Sequence, residues 1–213
     1  MPQPEFDAAK LKLIPREFYN RDPRRVARAL LGKVLVRRQG ESLLAGRIVE
    51  VEAYLGAGDA AAHSAAGRTP RNSVLFGPPG YVYVYFIYGN HYCFNISCLP
   101  DGEAGGVLLR ALEPLAGIDE MMKNRGMAGP ATNLQALRMI SSGPGRLAEA
   151  LGITRERDNG KDVTSPASDL VVMEDGFRPK KVAITARIGI TKSADELLRY
   201  VIAGNGFVSG KRA

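Results

Sequence analysis

Hydrophobic and polar residues alternate with a period of two through several segments of the chain. This period is typical of β-strands, because successive side chains point to opposite faces of a sheet. The alternation predicts strands at residues 33–38, 43–54, 81–88, 91–98, 107–112, 170–173 and 182–190. Gly89-Asn90 separates the third and fourth of these and has the composition of a two-residue hairpin turn.

Two other regions have apolar residues at helical spacing. Asp22-Pro23 has the residue types of an N-cap and a first helical position, and Gly32 is a plausible stop for that helix. Residues 115–152 are predicted to be helical, with Gly143-Pro144 opening the clearest helix. Strands that cluster in the middle, with helices before and after, favour the α+β class.

We therefore predict a single domain over residues 1–213. It should contain a curved, mainly antiparallel sheet, surrounding helices and a protruding β-hairpin. Within this domain, residues 1–17 form a candidate mobile basic arm. The chain contains no repeat or linker that would mark a second domain.

The charge of the chain is positive and unevenly distributed. Lys and Arg total 29 against 22 Asp and Glu, and residues 1–40 alone contain ten basic and four acidic residues. Such an excess suits a polyanionic partner, but a solvated basic face would give the same composition. No apolar run approaches the ~20 residues of a membrane span, and the first residues do not resemble a signal peptide. A cytoplasmic protein that does not enter a membrane is expected.

Cysteine and histidine are too scarce for a metal cluster built from them. Cys93 and Cys98 fall on one predicted strand with their side chains on opposite faces, so they cannot form a disulfide there. With only two histidines, a zinc site of these ligands cannot be assembled. No metal or other cofactor is predicted. One alternative is a carboxylate-metal hydrolase that uses Glu50, Glu52, Asp59 and His63.

Two glutamates and a tyrosine share one face of the predicted strand 43–54. The period of two places Glu50, Glu52 and Tyr54 together, with the two carboxylates ~7 Å apart. If that face is partly buried, desolvation and mutual repulsion raise at least one pKa, as a general acid or base requires. If it faces solvent, it is an ordinary acidic strand edge.

A window rich in tyrosine and free of acidic residues follows. Between Asp59 and Asp101 there is no acidic residue, and five of the eight tyrosines fall there. Tyr88 stands next to the predicted hairpin tip, where an exposed aromatic could wedge between stacked bases. The tyrosines of the strand before it could stack a displaced base or simply pack in the sheet.

The same window restricts the choice of nucleophile. No lysine occurs between Val34 and Met122, so the site segments offer no amine for a Schiff base. If the protein cleaves a glycosidic bond, a carboxylate-activated water is the expected nucleophile. His63 lies in a loop of small residues before the basic segment 69–72, where it is either structural or close to a bound phosphate.

These segments, in order, resemble a known family. The blocks are RIVEVEAY at 47–54, AAHS at 61–64, TPRN at 69–72, YVYFIYG at 83–89, NIS at 95–97, VLLRALEP at 107–114, SGP at 142–144 and ARIG at 186–189. Together they are similar to the alkyladenine (3-methyladenine) DNA glycosylases of the methylpurine-DNA glycosylase type, over nearly the whole chain after Phe18.

The resemblance implies a monofunctional DNA glycosylase of base excision repair. Such an enzyme flips an alkylated purine out of duplex DNA and hydrolyses its N-glycosidic bond, leaving an abasic site. The implied partner is double-stranded DNA with damaged purines, and the implied protein is a monomer without an obligate protein partner. The alternative is a non-catalytic nucleic-acid-binding module in which tyrosines form a stacking platform and the glutamates are structural.

The resemblance also assigns roles to individual residues. Glu52 would be the general base that activates water, and Arg110 would help to hold that water or the nearby backbone. The other implied roles are base binding for Tyr54, His63, Tyr85 and Asn95, insertion into the base stack for Tyr88, and phosphate contact for Arg68 and Arg71. Asn95 would exclude the 2-amino group of normal guanine. The chain has no tryptophan, and Tyr200 is the candidate for the aromatic residue near the last strand.

Overall fold

One antiparallel sheet forms the centre of the protein. The computed structural model describes residues 6–210. Its strands are β1 (Lys12–Leu13), β2 (Val34–Gln39), β3 (Ser42–Tyr54), β4 (Val82–Ile87), β5 (His91–Cys98), β6 (Gly105–Ala116), β7 (Leu170–Glu174), β8 (Val182–Thr185) and β9 (Arg199–Ile202). Neighbours follow the order β1-β7-β2-β3-β6-β5-β4, and β9 pairs with both β3 and β8. Every pairing is antiparallel, which confirms the predicted sheet.

Five α-helices surround the sheet in the described chain. They are α1 (Pro23–Leu30), α2 (Ile118–Asn124), α3 (Leu134–Ser141), α4 (Pro144–Ala150) and α5 (Arg155–Asp158). Asp22 caps α1 by accepting the backbone N–H of Arg24, and Pro23 is the first helical residue, as predicted. The α+β class is confirmed.

The main core lies where helices pack on the central strands. Val26 and Leu30 of α1, Ile48 of β3, Phe94 of β5 and Leu147 of α4 are all fully buried in it. Burying each such side chain contributes roughly 1.5–3 kcal/mol. β3 is the best-supported strand, because its second half is paired with β6 on one side and with β9 on the other. Glu50 and Glu52 therefore lie where β3 is paired on both sides, and the β3–β6 register shifts on either side of Glu50.

The predicted hairpin is present, but its turn is longer than predicted. The last pair of the β4–β5 ladder is Ile87 with His91, so the turn contains Tyr88, Gly89 and Asn90. Tyr88 and Gly89 both have left-handed backbone, with φ of 55° and 73°. The prediction of a two-residue turn was wrong because the left-handed backbone begins one residue earlier, at Tyr88. Tyrosine rarely adopts a left-handed conformation, so nothing in the sequence indicated it.

Several boundaries differ from the sequence-based prediction. β8 ends at Thr185, so residues 186–190 leave the sheet, although a strand was predicted through 190. Residues 115–152 contain three separate helices, and β6 continues to Ala116. The short strands β1 and β9 were not predicted, because two and four residues give too little alternation to recognise.

Part of the predicted mobile arm packs against the sheet. Lys12 and Leu13 pair with Glu174 and Met173 of β7. Arg16 forms an ion pair with Asp162 at 2.5 Å. Residues 1–5 of the arm lie outside the described residues. Within residues 6–210 there is no helix of the length and apolar character that crossing a membrane requires.

Candidate active site

A pocket of about 760 Å³ opens between the central strands and the hairpin. Its volume lies within the range of roughly 300–1,000 Å³ that is usual for small-molecule sites. It is walled by β3, β4, β5 and β6, by residues 61–64, by the start of α4 and by residues 188–190. The pocket contains every predicted base-binding residue, namely Tyr54, His63, Tyr85 and Asn95, together with Arg110 and Tyr88.

Glu52 lies directly behind this wall. Its side chain is fully buried and is not itself among the lining residues. Its Oε1 accepts the backbone N–H of Ile188 at 2.8 Å and lies 3.3 Å from Arg110 Nη1. Its Oε2 accepts the hydroxyl of Tyr54 at 3.1 Å. All three partners line the pocket, so the carboxylate contacts the wall at three points.

Glu52 lies beside Arg110, but burial has the largest effect on the pKa of its carboxyl. Burial raises the pKa of Glu52 above its usual value, although Arg110, the Ile188 N–H and the Tyr54 hydroxyl oppose the shift. Burial also raises the pKa of Tyr54, and the neighbouring Glu52 adds to this effect. Tyr54 therefore stays protonated and donates to the carboxylate.

Glu50 shares Arg110 with Glu52 and belongs to a second layer of charge. Its Oε1 accepts from Arg110 Nε at 2.9 Å, from Arg199 Nε at 2.8 Å and from Ser209 Oγ at 2.9 Å. Its Oε2 accepts the backbone N–H of Ser209 at 2.6 Å. Both glutamates are fully buried, so the interpretation as an exposed acidic strand edge is wrong. The predicted juxtaposition of the two carboxylates is confirmed by their common arginine.

A buried ion pair that was not predicted supports Tyr54 from behind. Arg187 Nη1 and Nη2 lie 2.5 and 2.8 Å from Asp59 Oδ2 and Oδ1. The guanidinium carbon lies 4.7 Å from the centre of the Tyr54 ring, and Nη1 also donates to the carbonyl of Ala53. Burial acts to raise the pKa of Asp59, but Arg187 and two backbone N–H groups hold it below its usual value.

This arrangement contradicts the carboxylate-metal alternative. Glu50 is held by two arginines and Asp59 by a third, so their oxygens are already occupied by cations. Among residues 6–210, no three His, Cys, Asp or Glu side chains come together as ligands would. His63 is engaged elsewhere, with Tyr83 and Tyr85.

His63, Tyr83 and Tyr85 form an aromatic cluster in the wall of the pocket. His63 Nδ1 lies 2.9 Å from the hydroxyl of Tyr83, and its ring meets that of Tyr85 edge-to-face at 4.4 Å. Burial, with a smaller contribution from Arg71, lowers the pKa of His63. His63 is therefore neutral near pH 7. Tyr83 is only 1% exposed, so it is a packing residue as well as a lining residue.

Asn95 is fixed in the wall by the sheet itself. Its Nδ2 donates to the carbonyl oxygens of Tyr83 at 3.2 Å and Cys93 at 3.5 Å, and the residue is 6% exposed. Its amide therefore has one defined orientation. Burial raises the pKa of the neighbouring Cys93 thiol, which leaves it protonated and a poor nucleophile.

One buried asparagine orders the loop that carries the predicted phosphate contacts. Asn72 donates to the carbonyls of His63 and Gly67 at 2.9 and 3.0 Å and accepts the N–H of Thr69 at 2.6 Å. This role of Asn72 was not predicted from the sequence, although Asn72 stands in the TPRN block. Arg71, exposed at the loop surface, lies close enough to lower the pKa of His63.

Of the remaining predicted residues, Tyr88 lines the pocket, whereas Arg68 and Tyr200 do not. Arg68 is exposed on the same loop and does not line the pocket. Tyr88 is 79% exposed at the hairpin tip and reaches the pocket mouth. Tyr200 is buried in the main core and does not line the pocket. It therefore does not take the place of an aromatic at this site.

A buried carboxyl with a raised pKa, in contact with the wall of a pocket lined by aromatic rings, is a candidate site for a planar ligand and for acid–base chemistry. Comparison with known proteins makes this specific. Residues 17–206 match the sequence model of the family described as methylpurine-DNA glycosylase. The chain therefore belongs to the methylpurine-DNA glycosylase family, and it is a DNA glycosylase, a hydrolase of N-glycosidic bonds in base excision repair.

Several relatives carry the name "Putative 3-methyladenine DNA glycosylase". The protein of Koribacter versatilis is 66% identical over 209 residues, which cover 98% of this chain and 99% of that one. A protein of Burkholderia cenocepacia is 46% identical, covering 93% and 91% of the two chains. A protein of Methanoculleus marisnigri is also 46% identical, covering 92% and 98% of the two chains. The resemblance drawn from the motifs is confirmed, and the non-catalytic module is ruled out.

Proposed function

We propose that this glycosylase flips alkylated purines such as 3-methyladenine and 7-methylguanine out of duplex DNA and hydrolyses their N-glycosidic bond with a water activated by Glu52. The observation that carries the proposal is the buried Glu52 carboxylate, with its raised pKa, in contact with three residues of an aromatic-walled pocket. The names of the relatives support 3-methyladenine as a substrate.

The position of Glu52 suggests where the water binds. Tyr54 and Arg110 both contact the carboxylate and both line the pocket, so a water between them would reach Glu52 and the sugar of a bound nucleotide. In the reaction Glu52 takes a proton from this water, and the water oxygen attacks the anomeric carbon. The electron pair of the C–N bond leaves with the base. An ionised Glu52 also stabilises the positive charge that develops on the sugar.

The walls of the pocket suit a positively charged purine. Alkylation makes the base cationic, and the electron-rich ring faces of Tyr54 and Tyr85 would attract such a base by roughly 1–2 kcal/mol once it is desolvated. His63, the third base-binding residue, is neutral because burial lowers its pKa, so it does not repel the cation. A normal purine gains none of this attraction and is a poorer leaving group.

Asn95 would select among bases by their shape and by their polar groups. Its amide is fixed by two backbone carbonyls on the wall of the pocket. A guanine with its 2-amino group directed at this amide would leave buried polar groups clashing or unpaired, which costs about 1–3 kcal/mol each. Asn95 would thus discriminate against normal guanine.

Tyr88 and the basic loop bring the DNA to the pocket. We assign Tyr88 to the gap left in the base stack, which offsets part of the few kcal/mol that base flipping costs. Arg68 and Arg71 are exposed on the loop next to the pocket and are assigned to phosphates. A monomer is sufficient for these contacts, and a DNA substrate places the enzyme at the chromosome, in the nucleoid of a bacterial cell.

Base release from methylated duplex DNA by Glu52→Gln tests the proposal. We expect release at least ~100-fold slower than for the native chain, with DNA binding retained, because a positioned general base is lost while the wall contacts remain. Glu41→Gln is the matched control, since Glu41 is exposed in the turn between β2 and β3. Equal rates for Glu52→Gln and the native chain would refute the role of Glu52.

A further inference from the structure

The outer half of the hairpin extends beyond the neighbouring strand. β5 is paired with β6 only from Asn95 to Cys98, whereas the β4–β5 ladder continues outward to Ile87 and His91. On the other edge, β4 is held by residues 159–161 only at Val82 and Val84. The sheet therefore does not by itself fix the direction in which the tip, with Tyr88, points.

His91 connects this outer half to a helix. It is the first residue after the turn, and its Nδ1 lies 3.0 Å from Oε1 of Glu149 on α4, so the imidazole N–H donates to the carboxylate. The other oxygen of Glu149 is paired with Arg125, at the C-terminal end of α2. The hairpin is thus tied through one carboxylate to two helices at the pocket mouth.

Gly145 allows the His91 side chain to approach the backbone of α4 closely. A Cβ at Gly145 would lie 2.9 Å from Cγ of His91 and 3.1 Å from its Cβ, so the imidazole rests directly on the backbone of α4. Gly145 does not have a positive φ, so its backbone conformation does not require glycine. The absence of a side chain there is explained by the His91 ring. His91, Gly145 and Arg125 also line the pocket beside Tyr88.

We propose that His91 is a positioning residue that fixes the direction of Tyr88 relative to the pocket, through its hydrogen bond to Glu149 and its packing on Gly145. The inference rests on the proposed wedge function of Tyr88. Without this contact the part of the hairpin beyond Val84 and Phe94 can change direction, and Tyr88 no longer meets the base stack where the pocket needs it. His91 itself takes no part in hydrolysis.

The test compares excision of one alkylated purine from duplex and from single-stranded DNA. A base in a single strand needs no wedge, so its release reports on the fold and the chemistry alone. For His91→Ala we expect duplex excision to fall about 10-fold, as displacement of a positioning group does, with single-strand excision unchanged. His91→Asn should restore most of the duplex rate, because its Nδ2 takes the place of the imidazole Nδ1.

Two further variants separate positioning from general packing. Gly145→Ala should behave as His91→Ala does, because the new methyl group displaces the imidazole. Tyr88→Ser should lower duplex excision, and adding His91→Ala to it should cause no further loss, since the residue being positioned is already absent.

Equal losses on duplex and single strand, or losses that multiply in the Tyr88→Ser/His91→Ala double variant, would overturn the proposal. The proposed function fails separately, if Glu52→Gln retains the native rate on both substrates.

Discussion

The pocket wall on β3 and β6 and the tip of the β4–β5 hairpin serve the same site by opposite means. Behind the wall, Glu50 alone receives four hydrogen bonds, from Arg110, Arg199 and both donors of Ser209. At the tip, Tyr88 is 79% exposed on a three-residue turn with left-handed backbone. The wall is fixed by paired charges, whereas the tip is an exposed uncharged ring.

The difference fits the functions proposed for the two regions. Hydrolysis needs a base and a cation at fixed distances, and burying such charges costs several kcal/mol per ion unless good geometry offsets it. Separating stacked bases needs an apolar surface that is available before DNA arrives, and exposure of one ring costs little. We therefore expect changes behind the wall to affect stability and chemistry together, and changes at the tip to affect only duplex substrates.

Glu50→Gln should show the largest effect and is the strongest test of the wall. The change leaves the buried Arg199 without its counter-ion and Arg110 with Glu52 alone, and breaking a buried pair in this way typically costs about 3–5 kcal/mol. The free energy of unfolding, measured with urea, should fall by this amount. Lys123→Gln is the control, because its pair with Glu120 is exposed and should contribute less than about 1 kcal/mol. Similar losses for both variants would mean that the buried ion pairs of Glu50 contribute no more to the free energy of unfolding than an exposed pair does.

The pH dependence of Glu52 should show the next largest effect. Because burial raises its pKa, the fraction of ionised base declines from a higher pH than for an ordinary glutamate near 4.3. Below its pKa the rate of base release should fall tenfold per pH unit. If the rate of base release instead declines only at or below the usual glutamate pKa, burial does not raise the pKa of Glu52. Base release from single-stranded DNA should decline at the same pH, since the hairpin tip takes no part in the ionisation of Glu52.

The same shift links Glu52 to stability with a definite sign. A carboxyl whose pKa is higher in the folded chain stabilises the fold at acidic pH, and this contribution is lost as the pH rises through the folded value. Glu52→Gln should therefore raise the melting temperature at neutral pH, and the gain should shrink towards acidic pH. A gain that does not vary with pH would show that it comes from packing.

The residues of the pocket wall on β3 were predicted from the sequence, but the residues that hold them in place were not. The face shared by Glu50, Glu52 and Tyr54 follows from local alternation, so a short window was enough. The partners of these residues are remote, since the Ile188 N–H reaches Glu52 across 136 positions of sequence. Arg187 pairs with Asp59 across 128 positions. Neither contact leaves a local pattern, and residues 186–190 even alternate as a strand would.

The tip was predicted in place but not in conformation. Gly89-Asn90 correctly marked where the chain reverses, because these residue types tolerate left-handed backbone. The actual turn also uses Tyr88, with φ of 55°, which no propensity favours. A locally unfavourable residue is expected where a function requires it, and both the position of Tyr88 at the predicted tip and the family resemblance pointed to the proposed wedge function.

Tyr88→Asn should show the smallest effect on stability. We expect a gain in the free energy of unfolding, in contrast to the loss expected for Glu50→Gln behind the wall. Left-handed backbone costs an ordinary residue roughly 1–2 kcal/mol, and asparagine tolerates it better. Because the exposed ring contributes little packing, we expect a gain of about 0.5–1 kcal/mol in the free energy of unfolding. Excision from duplex DNA should nevertheless fall, while excision from single-stranded DNA should not.

Ser193→Asn is the matched control for this prediction. Ser193 also has left-handed backbone, with φ of 48°, in the segment between β8 and β9. It should gain a similar fraction of a kcal/mol with no change in excision from either substrate. A stability loss in Tyr88→Asn would show that the ring packs against the protein, and the wall and the tip would then differ less than their exposure suggests. A gain accompanied by slower duplex excision would mean that the tip retains an unfavourable conformation because the duplex requires it.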